Sequence, residues 1–427
     1  MASIARIGIT KLGYNNLVRQ LCKVTTAGNC WYQVAFISRK AKRVAAGIRA
    51  RLQPFDYMNK QYTMWQQLVD PIIDRLDDNS KIIVIEGPMT SNKAKLGQKL
   101  ADELDMIYLP SPNFDEYYIT NYGYDLRTLD DRLSIGAQSC DLKKFLTNPH
   151  HPNVPMFQLH YFQLKYDQYI TALLHLLCTG QGVILNRSFY SSFVFAQAMT
   201  NAGYMRPQAL RFYNKVVGMA EDAVMRPHLV IYLDLPVDVV QERIKKRGIP
   251  YEVNSKVLTR EYLTDIETSY KQNYLKKVMS HSHVLMYDWT EEGDVMSVID
   301  DIEELNFNIY DKNGKMADWI FETVQELRIK RTYLHERFYL HQDYLTIDLN
   351  VPELAYTPDE VKEIHENYIT IPGGKYDTGF NTDMGDKGIL WKYQLSKIHR
   401  SLRTRPRDME VLKEEFKKLK AAAFGSK

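Results

Sequence analysis

The stretch from Lys81 to Lys95 constrains the fold of this chain more than any other. It opens with an apolar run, 82–85, of the kind that forms a strand buried on both faces. Gly87 ends the run, and a helical pattern begins near Lys93. A strand, a glycine turn and a lysine at a helix start form the arrangement of a P-loop, in which backbone amides and the lysine hold phosphates. The stretch therefore predicts the first strand, turn and helix of an α/β fold.

The P-loop signature G-x-x-x-x-G-K-S/T is incomplete here. Gly87 and Lys93 stand at the expected separation, but Asn92 replaces the second glycine and Ala94 replaces the Ser or Thr that would hold Mg²⁺. Asparagine tolerates left-handed backbone better than most residues, so the turn can survive. Alanine cannot bind a metal, and Pro88 lacks an N–H group that could donate to phosphate. Two interpretations stay open: a degenerate phosphate loop, and a structural turn that never meets phosphate.

The charge of the chain is unevenly distributed. Residues 1–55 contain ten Lys or Arg and no Asp or Glu, whereas the rest of the chain contains 45 basic and 52 acidic residues. An acid-free segment with Arg, Ser, Thr and Ala is typical of a mitochondrial transit peptide. We assign residues 1–45 to a transit peptide and basic N-terminal segment; a basic arm for nucleic acid or anionic lipid is the alternative. The acidic remainder argues against a nucleic-acid partner, because phosphate contacts need Lys and Arg.

Cysteine usage and hydropathy bear on the compartment. The four cysteines form no C-x-x-C pair, as expected for a reducing compartment. The longest apolar run, near 172–178, is too short to span a bilayer. We therefore predict no direct membrane span, so any association with a membrane depends on a partner.

Strands and helices alternate from residue 81 to residue 305. The apolar runs predict five strands, at 82–86, 106–109, 183–186, 229–234 and 284–287. Alternation of this kind predicts an α/β fold, a doubly wound parallel five-stranded sheet with helices on both faces. We assign this domain to residues 46–305, with a helix over 56–80 leading into the first strand. Residues 306–427 carry no chemical motif and are interpreted as a mostly helical C-terminal extension that acts as a docking element.

Ligands of such sheets bind at the carboxyl ends of the strands. Four groups of polar or basic residues follow these ends: Gly87–Lys93, Ser111, Asn186–Ser188 and Arg243–Arg247. We therefore expect them to lie close together.

Two further strings carry a family resemblance. The strings R-S-F-Y-S at 187–191 and E-R-I-K-K-R at 242–247 follow the P-loop position in the order found in deoxynucleoside kinases. With the basic N-terminal segment, the long extension and the eroded motifs, the chain more closely resembles the deoxynucleoside-kinase-like accessory subunit of mitochondrial NADH:ubiquinone oxidoreductase (complex I), alpha subcomplex. The resemblance implies a P-loop kinase-like fold and a place on the matrix side of the mitochondrial inner membrane. It also implies membrane-arm subunits of complex I as partners and a role in assembly or stability.

The resemblance also shows what the chain lacks. The kinases use a carboxylate in an E-P-V string to take a proton from the deoxyribose hydroxyl, and the matching string here is Ser111–Asn113. A serine is not an effective base near neutral pH without an activator. The E-R-S string of the kinases is Asn186-Arg187-Ser188 here, so a second carboxylate is missing. Because phosphoryl transfer needs positioning, metal and charge stabilisation together, we expect no catalytic residues and no enzyme activity of its own.

The retained residues predict a vestigial nucleotide pocket. Its members are Gly87, Asn92, Lys93, Arg187, Arg243 and Arg247. No cofactor or metal is expected to be required; the resemblance implies a nucleotide bound without turnover. FAD is also suggested for the family, although the chain has no G-x-G-x-x-G string.

Each retained residue also has a structural interpretation. Lys93 can be a solvated lysine in a first helical turn, and Arg187 can pair with a buried carboxylate. The basic cluster 243–247 can be a solvated helix end that suits the helix dipole.

The alternative function is a mitochondrial deoxynucleoside kinase with unusual residues. It requires another metal ligand, for which Thr90 or Ser91 is the candidate, and another base, Asp115 or Glu116.

Overall fold

A computed structural model describes residues 37–46, 51–60, 62–307, 314–335, 340, 351–387 and 406–425. Predictions for residues 1–36 and 388–405 lie outside the described residues.

The centre of the fold is one sheet of five parallel strands. The strands are β1 (Ile82–Glu86), β2 (Ile107–Leu109), β3 (Val183–Asn186), β4 (Leu229–Asp234) and β5 (His283–Asp288). Their order across the sheet is β2-β3-β1-β4-β5, and every neighbouring pair is parallel. The predicted five-stranded doubly wound sheet is therefore confirmed.

Alternate residues of the central strand enter two separate hydrophobic clusters. Ile82 and Val84 pack in one cluster, and Ile83 and Ile85 pack in the other. All four side chains are fully buried. This two-residue alternation places β1 between helices on both faces, and it explains why its sequence is a continuous apolar run.

Helices precede, connect and follow the strands. Before β1 lie α1 (Lys40–Ala45), α2 (Met64–Val69) and α3 (Ile72–Arg75). Between β1 and β4 lie α4 (Lys93–Leu104), α5 (Asp115–Tyr118), α6 (Leu142–Thr147), α7 (Val154–Thr179), α8 (Ser192–Asn201) and α9 (Pro207–Ala223). The later helices are α10 (Val237–Arg247), α11 (Pro250–Val253), α12 (Arg260–Ser269), α13 (Leu275–Met279), α14 (Val295–Glu304), α15 (Val324–His335), α16 (Pro358–Tyr368) and α17 (Pro406–Gly425).

The long helix α7 is the largest helical element of the core. Pro155 lies in its first turn, where a missing N–H costs nothing, and Gly180 ends it with a left-handed φ of 77°. A Cβ atom at Gly180 would lie 1.9 Å from the carbonyl oxygen of Arg75, so this close approach requires glycine. The end of α7 is thereby fixed against the segment that leads into β1.

The single helix predicted over 56–80 is wrong. The structure has two short helices there, α2 and α3, separated at Asp70 and Pro71. Proline lacks the N–H group that would continue the hydrogen-bond ladder and clashes with the preceding turn. A continuous helix over 56–80 is therefore interrupted at Pro71.

Residues at both ends of the described chain pack against the sheet domain. Ile37 is fully buried, and Arg43 of α1 donates to Asp77 at 2.8 Å. In the extension, Leu334 of α15 and Leu412 of α17 are fully buried in the same cluster as α7. The domain boundaries at 45 and 305 stay predictions. Among the described residues, no helix is both long enough and apolar enough to cross a bilayer.

Candidate functional site

The loop after β1 contains three residues with positive φ. Gly87 has φ of 138°, and Thr90 and Asn92 adopt left-handed φ values of 66° and 55°. A Cβ atom at Gly87 would lie 2.5 Å from the carbonyl oxygen of Leu233, so the loop crosses β4 where only glycine fits. Asn92 immediately precedes α4, so asparagine serves where the signature has glycine.

The lysine of this loop is turned toward the loop's own acceptors. Lys93 Nζ lies 3.1 Å from the carbonyl oxygen of Gly87 and 2.8 Å from Ser91 Oγ, and it also donates to the carbonyl oxygen of Pro88. The side chain is buried, and burial together with the nearby Arg187 lowers the pKa of Lys93 to about 7. Lys93 is therefore not the solvated lysine of the structural interpretation. Its hydrogen bonds stabilise the conformation of the loop.

Arg243 and Asn92 tie the same loop to the segment after β5. Arg243 donates to the carbonyl oxygens of Thr90, Trp289 and Thr290 at 3.3, 3.0 and 2.7 Å. Asn92 Nδ2 donates to Glu292 at 2.5 Å. Arg247, one turn further along α10, forms an ion pair with Glu252 instead. The two arginines of the basic cluster 243–247 therefore have different partners: Arg243 contacts the loop after β1, and Arg247 contacts Glu252.

Arg187 lies at the end of β3 beside a buried carboxylate. Its guanidinium carbon is 3.8 Å from the ring centroid of Phe195, and its Nε is 3.8 Å from Oε2 of Glu86. Glu86 is fully buried and accepts from Ser188 N at 3.0 Å and from Tyr270 OH at 3.1 Å. This geometry matches the structural interpretation of Arg187. Glu86 was not predicted as a site residue, although a carboxylate that ends an otherwise apolar strand is a visible signal.

A lysine from α7 contacts Ser111, the residue that stands at the base position in the resemblance to the kinases. Lys165 Nζ donates to Ser111 Oγ at 3.0 Å, to the Asn186 carbonyl oxygen at 2.6 Å and to the Arg187 carbonyl oxygen at 3.2 Å. Only 1% of Lys165 is exposed. Ser111 Oγ in turn donates to the Asn186 carbonyl oxygen at 3.0 Å. Ser111 Oγ already accepts from the Lys165 ammonium group and donates its proton to the Asn186 carbonyl oxygen. A neutral hydroxyl engaged in this way is a weak base near neutral pH, so it is poorly suited to take a proton from a substrate.

The alternative kinase function needs a substitute metal ligand and a substitute base. The candidates for both form hydrogen bonds or ion pairs with nearby groups. Thr90 Oγ1 donates to the Met89 carbonyl oxygen, and Ser91 Oγ donates to the Pro88 carbonyl oxygen at 2.9 Å. Asp115 pairs with Arg127 at 2.7 Å. Within the described ranges, no group of three or more His, Cys, Asp or Glu is placed to hold a metal ion.

A cavity of about 430 Å³ opens at this edge of the sheet. Three aromatic rings stack along one wall: the ring centroids of Phe114 and Phe157 are 4.9 Å apart, and those of Phe114 and Tyr161 are 5.9 Å apart. Among the six predicted site residues, Arg187 lines the cavity, whereas Gly87, Asn92, Lys93 and Arg243 meet at the neighbouring loop and Arg247 turns to Glu252. The six predicted site residues therefore do not line one pocket.

Comparison with known proteins gives consistent similarities. The family model described as deoxynucleoside kinase matches residues 83–313. The mouse (Mus musculus) protein named NADH dehydrogenase (ubiquinone) 1 alpha subcomplex subunit 10, mitochondrial, is 35% identical over 363 residues, which are 83% of this chain and 97% of that protein. A deoxyguanosine kinase of Dictyostelium discoideum is 24% identical over 234 residues, 55% of this chain and 73% of that protein. Among solved structures, a deoxyadenosine kinase from M. mycoides is 19% identical with a TM-score of 0.37, over 52% of this chain and 96% of that one.

Proposed function

Because this chain belongs to the deoxynucleoside kinase family and to the family of NADH dehydrogenase (ubiquinone) 1 alpha subcomplex subunit 10, we propose that it is a non-catalytic accessory subunit of mitochondrial respiratory complex I. The observation that carries the proposal is coverage: the similarity spans 83% of this chain and 97% of the mouse subunit, and it therefore extends well beyond the kinase-like region matched at residues 83–313. A shared kinase domain alone would not produce this coverage.

The proposed place is the matrix side of the inner membrane, in contact with membrane-arm subunits. The acid-free N-terminal segment supports mitochondrial import. The proposed role is assembly or stability of that arm. The extension supports this role because it adds folded surface without adding a chemical motif.

The local geometry supports the absence of catalysis. Lys165 holds the serine at the base position, Lys93 is held by its own loop, and Ala94 offers no metal ligand. Each of these features affects a different requirement of phosphoryl transfer: the base, the phosphate contact and the metal. Restoring one of these three requirements would leave the other two unmet.

The proposed pocket requires no cofactor. The aromatic cavity beside Arg187 has room for a bound nucleotide that is not turned over, while the loop lacks the glycine-rich string of a dinucleotide site. We therefore do not assign FAD to it.

Native electrophoresis of detergent-solubilised mitochondria tests the proposal. We expect the protein to migrate with the NADH dehydrogenase band, and depletion of the protein to reduce that band. Migration as a small free species, with the band intact after depletion, would overturn the accessory-subunit assignment.

The alternative kinase function has its own test. Labelled phosphate should not pass from ATP to any deoxynucleoside in the presence of the purified chain. Transfer that is abolished in Lys93→Ala would establish a kinase, because Lys93 is the residue that a working P-loop places on the phosphates. A matched control is Lys95→Ala, which changes an exposed lysine two residues away.

A further inference from the structure

A second groove lies between helices that are far apart in the sequence. Helices α1 and α17 border a space of about 290 Å³. Four cationic side chains line it, those of Lys40, Arg43, Arg51 and Lys418, against two carboxylates, Asp105 and Glu415. We call this space the α1–α17 groove. Its charged lining is positive by two.

The arginines of the groove are not fully satisfied by these carboxylates. Arg51 donates through Nε to Asp77 at 2.7 Å and through Nη1 to Asp105 at 3.2 Å. Arg43 shares the same Asp77 oxygen at 2.8 Å. The Arg51 side chain is 9% exposed, and its buried Nη2 atom has no hydrogen-bond partner among the described residues. Since buried guanidinium groups are almost always paired, this atom is a donor left unpaired beside the groove.

Apolar side chains lie beside these cations. Val44 is 73% exposed and Leu52 is 45% exposed, and both line the α1–α17 groove with Leu419 and Ala422. A site for a free anion has no need of exposed aliphatic side chains. Cations next to exposed aliphatic groups are the pattern of a surface that lies at the boundary between lipid headgroups and acyl chains.

More exposed apolar surface lies at the same end of the molecule. Thr179, the last residue of α7, lines the α1–α17 groove. Its neighbour Cys178 accepts from Arg331, which also donates to Asp70 at the end of α2. On α2, Trp65, Leu68 and Val69 are 78%, 55% and 75% exposed. Helix α7 ends at Thr179, just before β3 begins at Val183. The α1–α17 groove therefore lies at the amino edge of the sheet, whereas the aromatic cavity lies at the carboxyl edge.

We propose that the α1–α17 groove binds the phosphate headgroup of an anionic phospholipid, with Val44 and Leu52 entering the acyl boundary. The phosphate oxygens lie among Lys40, Lys418 and the unpartnered Nη2 of Arg51. The inference goes beyond the proposed function and rests on it only for the identity of the membrane. It makes the protein a peripheral lipid-binding subunit as well as a partner of other subunits.

Vesicle co-sedimentation of the full chain tests the proposal. We expect binding to phosphatidylcholine vesicles that contain phosphatidylglycerol, and much weaker binding to phosphatidylcholine alone. Lys40→Gln with Lys418→Gln should weaken binding roughly tenfold or more, because each cation near an anionic surface contributes about 1 kcal/mol. The matched control, Lys245→Gln with Lys362→Gln, removes the same charge from exposed positions outside the groove and should bind as the unaltered chain does.

An apolar pair of variants separates a lipid from a free anion. Val44→Ser with Leu52→Ser should also weaken vesicle binding, whereas Val361→Ser, which alters a valine that is 53% exposed on α16, should not. Equal binding to both vesicle types, or unaltered binding by Lys40→Gln with Lys418→Gln, would overturn the proposal. If inorganic phosphate competes but the apolar pair has no effect, the groove is a free-anion site and the lipid assignment is wrong.

A third outcome distinguishes a protein interface. If the groove variants leave vesicle binding unchanged but remove the protein from the NADH dehydrogenase band, the groove contacts a subunit and the lipid proposal fails while the proposed function stands. If vesicle binding follows the prediction but the unaltered protein never joins that band, the lipid site stands and the proposed function fails.

Discussion

Lys165 Nζ lies 3.0 Å from Ser111 Oγ, although the two residues are 54 positions apart in the chain. The contact joins the middle of α7 to the segment after β2, at the carboxyl edge of the sheet. It places a buried cation against the serine that stands where the kinases carry a catalytic carboxylate. The same ammonium group also donates to the carbonyl oxygens of Asn186 and Arg187.

Replacement of this lysine should destabilise the fold. Lys165→Met leaves the Ser111 hydroxyl and two buried carbonyl oxygens with one donor fewer, so we expect the free energy of unfolding to fall by about 2 kcal/mol. Urea denaturation measures it. Lys95→Met, which removes a surface ion pair with Glu292, should cost less than about 1 kcal/mol. Equal costs for the two variants would contradict a structural role for Lys165.

The buried pair of Glu86 and Arg187 should be sensitive to loss of charge. Glu86→Gln removes the carboxylate beside a buried guanidinium, and we expect a cost of about 3–5 kcal/mol in denaturation experiments. Tyr274→Phe removes one hydrogen bond, of 3.4 Å, to the same carboxylate and should cost about 1 kcal/mol or less. A small effect of Glu86→Gln would mean that Arg187 finds its stabilisation in the Phe195 ring alone.

Two glycines with left-handed backbone separate the effect of strain from that of crowding. Gly123→Ala, at φ of 83° with open space around the Cβ position, should cost about 1 kcal/mol. Gly87→Ala adds a contact of 2.5 Å with the Leu233 carbonyl oxygen and should cost about 3 kcal/mol. Thermal or chemical denaturation of both variants checks the difference. Similar costs would show that the loop moves away from β4 without resistance.

The stability of the protein should rise with pH between about 7 and 9. The pKa of Lys93 is lowered to about 7 in the folded protein from 10.5, mainly by burial. In this interval the unfolded chain binds a proton on Lys93 that the folded protein releases, so unfolding becomes less favourable as pH rises. We expect a gain of up to about 2 kcal/mol between pH 7 and pH 9.

A variant without the amine isolates this contribution. Lys93→Met should flatten the pH dependence, leaving the smaller slope that Lys81 contributes in the same direction, since its pKa is lowered to about 8 by burial. Denaturation midpoints at several pH values provide the measurement. An unchanged slope would show that Lys93 stays protonated within its loop.

The mature N-terminus should lie at or before Ile37. Ile37 is fully buried, and Arg39 and Arg43 pair with Glu303 and Asp77. Cleavage at residue 45 would remove these contacts and expose the surfaces beneath them. N-terminal sequencing of the protein from mitochondria should therefore find a start at or before residue 37. A start after residue 45 would also remove Lys40 and Val44 and so contradict the lipid site.

The sequence specified the sheet more clearly than the site. β1, β3 and β4 were predicted to the residue because parallel strands buried on both faces are continuous apolar runs. The single helix predicted over 56–80 is wrong at Pro71, where the structure has two helices. The break is visible in the sequence, because proline lacks the N–H group that would continue the helix.

Contacts between distant side chains could not be predicted in the same way. The sequence shows that Ser111 replaces a carboxylate, but the approach of Lys165 depends on how α7 lies against the sheet. Likewise, Arg243 and Arg247 belong to one basic string, yet one reaches the P-loop and the other reaches Glu252. A helical turn separates them, and only the surrounding loops decide which acceptor each one meets.

The ammonium group at the strand ends has an evolutionary consequence. Ser111→Glu alone would create an ion pair with Lys165 and not a free base, and loss of Lys165 alone would leave buried acceptors unpaired. A return to phosphoryl transfer would need both changes, with a metal-binding hydroxyl at position 94 and a lysine released from its loop. Loss of Lys165 alone would lower folding stability without supplying a metal ligand. For the non-catalytic subunit that we propose, these contacts therefore make phosphoryl transfer hard to recover by single mutations.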